Sequence, residues 1–343
     1  MRTEPLSTTE MLANDHSAGV ADAIASLDGL VMADYELIER LSAGGYGEVW
    51  KAIGPGGLPK AVKVLYGQRD GEHAEAELRS LQKMRELRHP FLLSIERIEV
   101  VNSRLIVVVE LADGNLSDRF DACRREGKPG VPRDELLRDA AGCCGMLRDA
   151  ADAADAAGAL DYMSEQHGLQ HLDIKPDNLL LQGGHVKVGD LGLAKDISAT
   201  NVSVLNGFTP MFAAPELFEG RPARVSDQYS LAIVYQMMLT GSSPFNGRKA
   251  AQLTAQHLRS QPDLTFLQPI DRPVIARALS KNMNSRFDNC TEFVAELIRR
   301  RHGRSTNVAF VKKLDGVLVS DTALLKTLSQ SGAEPEHGKE STQ

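Results

Sequence analysis

The chain has 343 residues, 42% of them apolar and 25% charged, and a formal net charge of −7. That length admits roughly two or three domains, the composition is that of a soluble globular protein, and the negative balance argues against nucleic acid or an anionic membrane as the main partner. No apolar run approaches the ~20 residues of a bilayer span, the start Met1-Arg2-Thr3-Glu4-Pro5 lacks a secretory pattern, and Cys123, Cys143, Cys144 and Cys290 lack metal-ligand spacing and read as reduced, cytoplasmic thiols.

Residues 1–34 carry no visible chemistry and read as an N-terminal extension. Residues 35–43 read as a strand running into Ser42-Ala43-Gly44-Gly45-Tyr46-Gly47-Glu48-Val49. Glycines let a backbone approach phosphate oxygens unobstructed and let several N–H groups face one anion. Val49-Trp50-Lys51-Ala52 looks like a second strand, whereas a dinucleotide-binding turn is followed by a helix. Lys60-Ala61-Val62-Lys63-Val64-Leu65 reads as a third strand. Its period of two sets Ala61, Lys63 and Leu65 on one face, where a lysine needs an anionic partner. Residues 70–88 read as a helix ended by His89-Pro90. Within it, Glu75 has Arg79 at i+4 and suits solvent; Glu77 has Leu81 there, borders the apolar stripe, and is chosen as the partner of Lys63. Residues 92–101 and 104–111 read as two more strands, with Val107-Val108-Val109 as a buried run.

Asp113-Gly114-Asn115-Leu116 breaks the sheet pattern and opens a helix-rich remainder. Residues 134–167 are strongly helical, and the alanine-rich part over 140–159 reads as a lengthened helix or insertion serving as scaffold. Next comes Gln170-His171-Leu172-Asp173-Ile174-Lys175-Pro176-Asp177-Asn178-Leu179-Leu180-Leu181. Phosphoryl transfer needs a carboxylate to orient the attacking hydroxyl and accept its proton, a cation to steady the γ-phosphate, and an amide oxygen to help hold Mg²⁺. Asp173, Lys175 and Asn178 fit those roles in that order. A hairpin turning at Gly183-Gly184 leads through Val186-Lys187-Val188 to Asp190-Leu191-Gly192, and Thr209-Pro210-Met211-Phe212-Ala213-Ala214-Pro215-Glu216 follows. Ser226-Asp227 opens a buried helix reaching about Thr240. Val308 to Leu314 and Val317 to Ser320 flank Asp315-Gly316 as a candidate hairpin, and residues 332–343 are polar and expected to be disordered.

This ordered series resembles the eukaryotic-type (Hanks-type) serine/threonine protein kinases of bacteria. Their catalytic-loop pattern, His-Arg-Asp-Leu-x-x-x-Asn, is met by residues 171–178 with Leu172 in place of Arg. Ser42 stands where the first loop glycine is usual, Leu191 stands for the usual Phe, and Ala214-Pro215-Glu216 closes an activation segment. The resemblance implies an α+β, bilobal protein-kinase fold. A small antiparallel five-stranded lobe with one helix covers 35–112, a larger, mainly helical lobe covers 113–302, and 303–343 form a tail. It implies ATP and Mg²⁺ as cofactors. Asp173 would act as base or orienter, Lys175 would stabilise charge, Asn178 and Asp190 would hold the metal, and Lys63 paired with Glu77 would align the phosphates. Gly44 and Gly47 would cover them. Leu41, Ser42, Val49, Ala61 and Leu180, with the hinge residues Glu110 and Ala112, would complete the nucleotide site.

Thr209 would contact the Asp–Lys pair, and Arg286 would pair with Glu216. Asp227 has two readings: a helix N-cap, or a reach back to the loop near His171. The resemblance implies a protein partner bearing a Ser or Thr acceptor, in signalling; no feature bears on oligomeric state. Two rivals share the fold, a pseudokinase scaffold that binds ATP without turnover and a small-molecule phosphotransferase. Lys63, Asp173, Asn178 and Asp190 are all present, against the first; Lys175 and Ala214-Pro215-Glu216 argue against the second. Ser198, Thr200 and Ser203 are candidate phosphorylation sites, but without an arginine at 172 their phosphates would lack the usual partner.

Overall fold

The computed structural model describes residues 34–44, 47–65, 82, 84–101, 104–136, 151–190, 195–196 and 208–302. Five strands form the first lobe: β1 (Glu36–Gly44), β2 (Gly47–Ile53), β3 (Pro59–Leu65), β4 (Ile95–Val101) and β5 (Arg104–Glu110). They lie in the order β1-β2-β3-β5-β4, every neighbouring pair antiparallel. β-Branched side chains make up most of β5 and include Val62 and Val64 on β3, and they suit a pleated surface. Alternation divides them between the two faces. Val62, Val64, Ile106 and Val108 pack with Ala52 beneath Tyr35, Leu37, Trp50 and Val101. Leu105, Val107 and Val109 turn the other way and join the main core. Register sets Lys63 between Val49 on β2 and Val107 on β5, so its stem lies along a row of valines.

Two strand expectations shift. The buried run falls at Ile106, Val107 and Val108 (0%, 5% and 0% exposed), while Val109 is half-buried opposite Ala61. The strand expected from Leu92 begins only at Ile95. Leu92 bridges Val188 in parallel, the Leu93 N–H donates to the Val188 carbonyl (2.9 Å), and the Val188 N–H donates to that of Phe91 (2.8 Å). The backbone hydrogen bonds of this stretch thus go to the second lobe, not to the sheet. Of the helix expected over 70–88, Gln82, Met84 and Arg85 are helical; Glu77 and most of the rest lie outside the described residues.

The second lobe contains α1 (Leu116–Arg125), α2 (Arg133–Leu136), α3 (Ala151–His167), α4 (Pro215–Phe218), α5 (Ser226–Thr240), α6 (Ala250–Arg259), α7 (Arg272–Ala278) and α8 (Cys290–His302). It also contains short strands β6 (Gly114–Asn115), β7 (Leu169–Gln170), β8 (Leu179–Gln182), β9 (His185–Val188) and β10 (Lys195–Asp196), paired in the order β6-β8-β9 in one sheet and β10-β7 in another. A reciprocal capping box starts α1: the Asn115 side chain accepts the Asp118 N–H, and the Asp118 carboxylate accepts the Asn115 N–H. The axis of the lobe is α5, buried at every residue from Ser226 to Met238. A helix wrapped on all sides in this way belongs to a core. Gly241 ends it in the left-handed region (φ 68°). Gly130 presses against its last turn, where a Cβ would stand 2.3 Å from the Met238 carbonyl oxygen.

Residues 137–150 of the long predicted helix lie outside the described residues, as do the extension at 1–33 and the tail at 303–343. Cys123 and Cys290 are buried thiols. Among the described residues, no helix is long and apolar enough to cross a membrane.

Candidate active site

Among the described residues, two other than glycine adopt left-handed backbone conformations, Leu172 (φ 65°) and Asp190 (φ 53°). Each costs roughly 1–2 kcal/mol for a residue bearing a Cβ, so neighbouring groups must hold it. Buried Asp227 on α5 holds the first: its carboxylate accepts the His171 N–H at 2.7 Å and the Leu172 N–H at 2.8 Å. Burial raises the pKa of Asp227 against the pull of His171 and those two N–H groups. No side chain caps α5, so of the two readings of Asp227 the reach to the loop is the one observed. The second strained residue follows Gly189, whose carbonyl accepts from His171 Nε2 at 2.8 Å. A carbonyl only accepts, so Nε2 carries the hydrogen and Nδ1 is left to accept the Asp173 N–H at 3.3 Å.

Both oxygens of Asp173 are engaged. Lys175 Nζ lies 3.0 Å from Oδ2, and Asn178 Nδ2 donates to Oδ2 at 3.2 Å and to the Asp173 carbonyl at 2.8 Å. The Thr209 N–H donates to Oδ1 at 2.9 Å, and Lys175 Nζ also donates to Thr209 Oγ1 at 3.3 Å. Burial works against the Lys175 ammonium, but Asp173, helped by Asp177 and Asp190, outweighs it and the pKa is raised. Lys63 Nζ donates to Asp190 Oδ1. Burial works against the Asp190 charge, and Lys63, with smaller help from His171 and Lys175, outweighs it and lowers the pKa. Lys63 on β3 and the groups of the 171–178 loop therefore share one cleft.

The arrangement is a fixed carboxylate, Asp173, paired with Lys175, and a second carboxylate, Asp190, paired with Lys63. The donor set suits a hard cation: with Asn178 Nδ2 spent on Asp173, its oxygen is left to serve beside the Asp190 carboxylate. Below the cleft, Glu216 accepts from Arg286 through both oxygens at 2.7 and 2.8 Å and from Ser226 Oγ at 2.7 Å, all buried. That anchors the end of the 209–216 segment to the turn before α8.

The family model for the protein kinase domain matches residues 35–313. The chain belongs to the protein kinase family. This kinase domain is 30% identical over 302 residues to serine/threonine-protein kinase PknF of Mycobacterium tuberculosis, covering 80% of the present chain and 58% of that protein. It is 32% identical over 292 residues to serine/threonine-protein kinase PknB of Mycolicibacterium smegmatis, covering 79% and 43%. To serine/threonine-protein kinase PkaA of Streptomyces coelicolor it is 31% identical over 320 residues, covering 85% and 55%. The chain thus spans little more than half of these relatives at most. The five-stranded sheet and the helical second lobe bear out the bilobal fold that the motifs implied.

In this kinase domain the residues expected at the nucleotide lie on β1, β2, β3 and β8 and at the end of β5. Val49 is opposite Lys63, Lys51 is opposite Ala61, and Ser42 is opposite Val49. Gly44 pairs with Gly47, and a Cβ at Gly47 would meet the Val64 carbonyl oxygen at 2.2 Å, so close approach to β3 also demands that glycine. Leu41 is half-exposed on β1. Leu180 lies on β8 opposite Lys187, with its Cδ1 against Gly189. Glu110 ends β5, and Ala112 follows it, half-buried. Glu77 lies outside the described residues, so the expected Lys63 pair is not seen; the described partner of Lys63 is Asp190. Ser198, Thr200 and Ser203 also lie outside.

Sequence reasoning missed the partner of Glu110. Its carboxylate accepts from Lys187 Nζ at 2.8 and 2.9 Å and from the Ser94 N–H at 3.0 Å. This joins β5, β9 and the segment before β4. Burial works against the Glu110 charge, and Lys187 and Ser94 outweigh it and lower the pKa. The signal was present, a single charge between two valines on a short strand, the same pattern that singled out Lys63.

Proposed function

We propose that the chain is an ATP-dependent serine/threonine protein kinase that transfers the γ-phosphoryl group of Mg-ATP to a hydroxyl of a protein acceptor. The observation that carries this is the Asp173 carboxylate, held on both oxygens by Lys175, Asn178 and Thr209. Such a group can orient an acceptor hydroxyl and take its proton as the new O–P bond forms and the bond to the ADP oxygen breaks. Lys175, its charge secured by Asp173, stabilises the transferring group, and Lys63 aligns the phosphates. Asp190 and Asn178 would hold Mg²⁺, which supplies neutralisation of phosphate charge when bound. Gly44 and Gly47 cover the phosphates, and Leu41, Ser42, Val49, Ala61, Leu180 and the backbone at Glu110 and Ala112 receive the nucleoside. Thr209 beside Asp173 and Lys175, on a segment anchored through Glu216 and Arg286, supports a polypeptide acceptor over a small alcohol. A reducing, ATP-rich cytoplasm and a signalling role fit this chemistry.

The test is labelled ATP with Mg²⁺ and generic protein acceptors, with Asp173→Ala beside the wild type. Label on Ser or Thr is expected, falling by about 10²–10⁴-fold in the variant, the range for removing a general base. ATP binding without transfer would make the chain a pseudokinase and overturn the proposal. Transfer to small alcohols alone would also overturn it.

A further inference from the structure

A two-residue turn fixes the end of β8. Gln182 pairs with His185, and between them Gly183 (φ 59°) and Gly184 (φ 83°) both lie in the left-handed region, as a tight hairpin turn of this kind requires. Alternation puts the side chains of Leu180 and Gln182 on one face of β8. Leu180 has its Cδ1 against Gly189, the residue before Asp190; Gln182 stands at the other end of that face. Its Nε2 donates to the Leu111 carbonyl at 3.1 Å. Oε1 of the same amide is buried and, among the described residues, has no hydrogen-bond partner. The side chain thus forgoes one hydrogen bond and keeps the one to Leu111, because turning the amide over would set two oxygens face to face.

The residues around Leu111 are tied to the same hairpin. The Asp113 N–H donates to the Leu181 carbonyl at 2.8 Å, the Gly183 N–H donates to Asp113 Oδ2 at 3.0 Å, and Lys187 on β9 holds the Glu110 carboxylate. Residues 110, 111 and 113 are therefore each gripped from β8, β9 or the turn between them. The Leu111 carbonyl and the Ala112 N–H belong to one peptide plane. The bond is trans, and in a trans peptide these two groups point in opposite directions. Gln182 holds the carbonyl on its own side, so the Ala112 N–H is aimed away from Gln182.

We propose that Gln182 is a positioning residue that sets base selectivity: by holding the Leu111 carbonyl it fixes the Ala112 N–H as a donor to the nucleotide base, and so favours ATP over GTP. This rests on the protein-kinase reading above, in which the backbone at Ala112 receives the nucleoside. On its pairing edge adenine carries an unprotonated ring nitrogen, N1, which accepts a hydrogen bond. Guanine carries N1–H at the same place, which donates. A donor held in one orientation meets an acceptor in the first case and a second donor in the other, and a polar group left unpaired in this way discriminates strongly. Without the Gln182 amide hydrogen the peptide plane can turn. Adenine then loses its fixed donor, and the freed Leu111 carbonyl can meet the guanine N1–H.

The test measures KM and kcat for ATP and for GTP, with Mg²⁺ and casein as acceptor, on the full chain, Gln182→Met and Gln182→Glu. Both replacements keep an unbranched side chain of similar length, and neither has a hydrogen to give to Leu111 at neutral pH. For the wild type, KM for GTP is expected to exceed that for ATP by about tenfold or more, the effect of one misplaced polar group. In both variants KM for ATP should rise about threefold to tenfold, the worth of one neutral hydrogen bond, while kcat with ATP stays within about twofold and KM for GTP stays level or falls. A side chain that only filled space would be replaced well by methionine, and general loosening of the site would raise both KM values together. Equal rises for ATP and GTP, or a wild-type KM for ATP in either variant, would overturn the proposal. Calorimetric binding of ADP and GDP to the same three chains makes the comparison without transfer. Absence of turnover with ADP still bound would remove the function proposed above and leave the ADP–GDP comparison to decide the role of Gln182; absence of ADP binding would overturn both.

Discussion

Leu172 occupies the position just before the candidate base, and its side chain is turned into the core at 4% exposure. A phosphate on the 191–207 segment would therefore find no cation there. Activity is expected to survive phosphatase treatment of the purified chain within about threefold. A loss beyond about tenfold, the worth of one charge-assisted hydrogen bond, would contradict this. At this scale the sequence was legible where chemistry is contiguous. Asp173, Lys175 and Asn178 sit within six positions, and a carboxylate, an ammonium and an amide so spaced have few bland uses. The Tyr229–His257 and Glu110–Lys187 contacts were not legible, because each joins residues far apart in the chain by tertiary proximity alone.

Elements were read well where a period or a cap marks them. The faces of β3 follow from alternation, and α5 runs from Ser226 to Thr240 as expected. The early start given to β4 has a clear cause: Leu92-Leu93 is as apolar as a strand, but its hydrogen bonds go to Val188, which no local pattern reveals. The contact of Gly130 with α5 was likewise invisible. The Val131 N–H donates to the Met238 carbonyl at 2.7 Å, and a Cβ at Gly130 would intrude on that same oxygen. Gly130→Ala should lower stability by about 1–3 kcal/mol, the usual range for overpacking, as measured by urea unfolding. An unchanged midpoint would show that the loop yields freely.

Across the whole molecule, the two lobes are tied at the back by Glu110, Lys187 and Ser94, and at the cleft by Lys63 and Asp190. Removing Lys187 leaves a largely covered carboxylate without its ammonium partner, with the Ser94 N–H still donating to it. Lys187→Met should cost about 1–3 kcal/mol at neutral pH and raise the KM for ATP several-fold by loosening the end of β5. The Glu110 pKa is lowered in the folded state. Its share of stability is thus present above the unfolded carboxylate pKa and fades as pH falls through the folded one. The stability gap between wild type and Lys187→Met should therefore narrow in acid, and a gap that stays constant from pH 7 to pH 3 would refute the assignment.

The same tie governs what the nucleotide opening can offer a foreign molecule. With the Glu110 carboxylate committed to Lys187 and Ser94, an adenine mimic reaching the end of β5 finds amide hydrogens and carbonyl oxygens to grip, and no ionic handle from that side chain. In the nucleotide site proposed above, where Val49, Ala61 and Leu180 would receive the nucleoside, discrimination among inhibitors would then be a matter of fit rather than of charge.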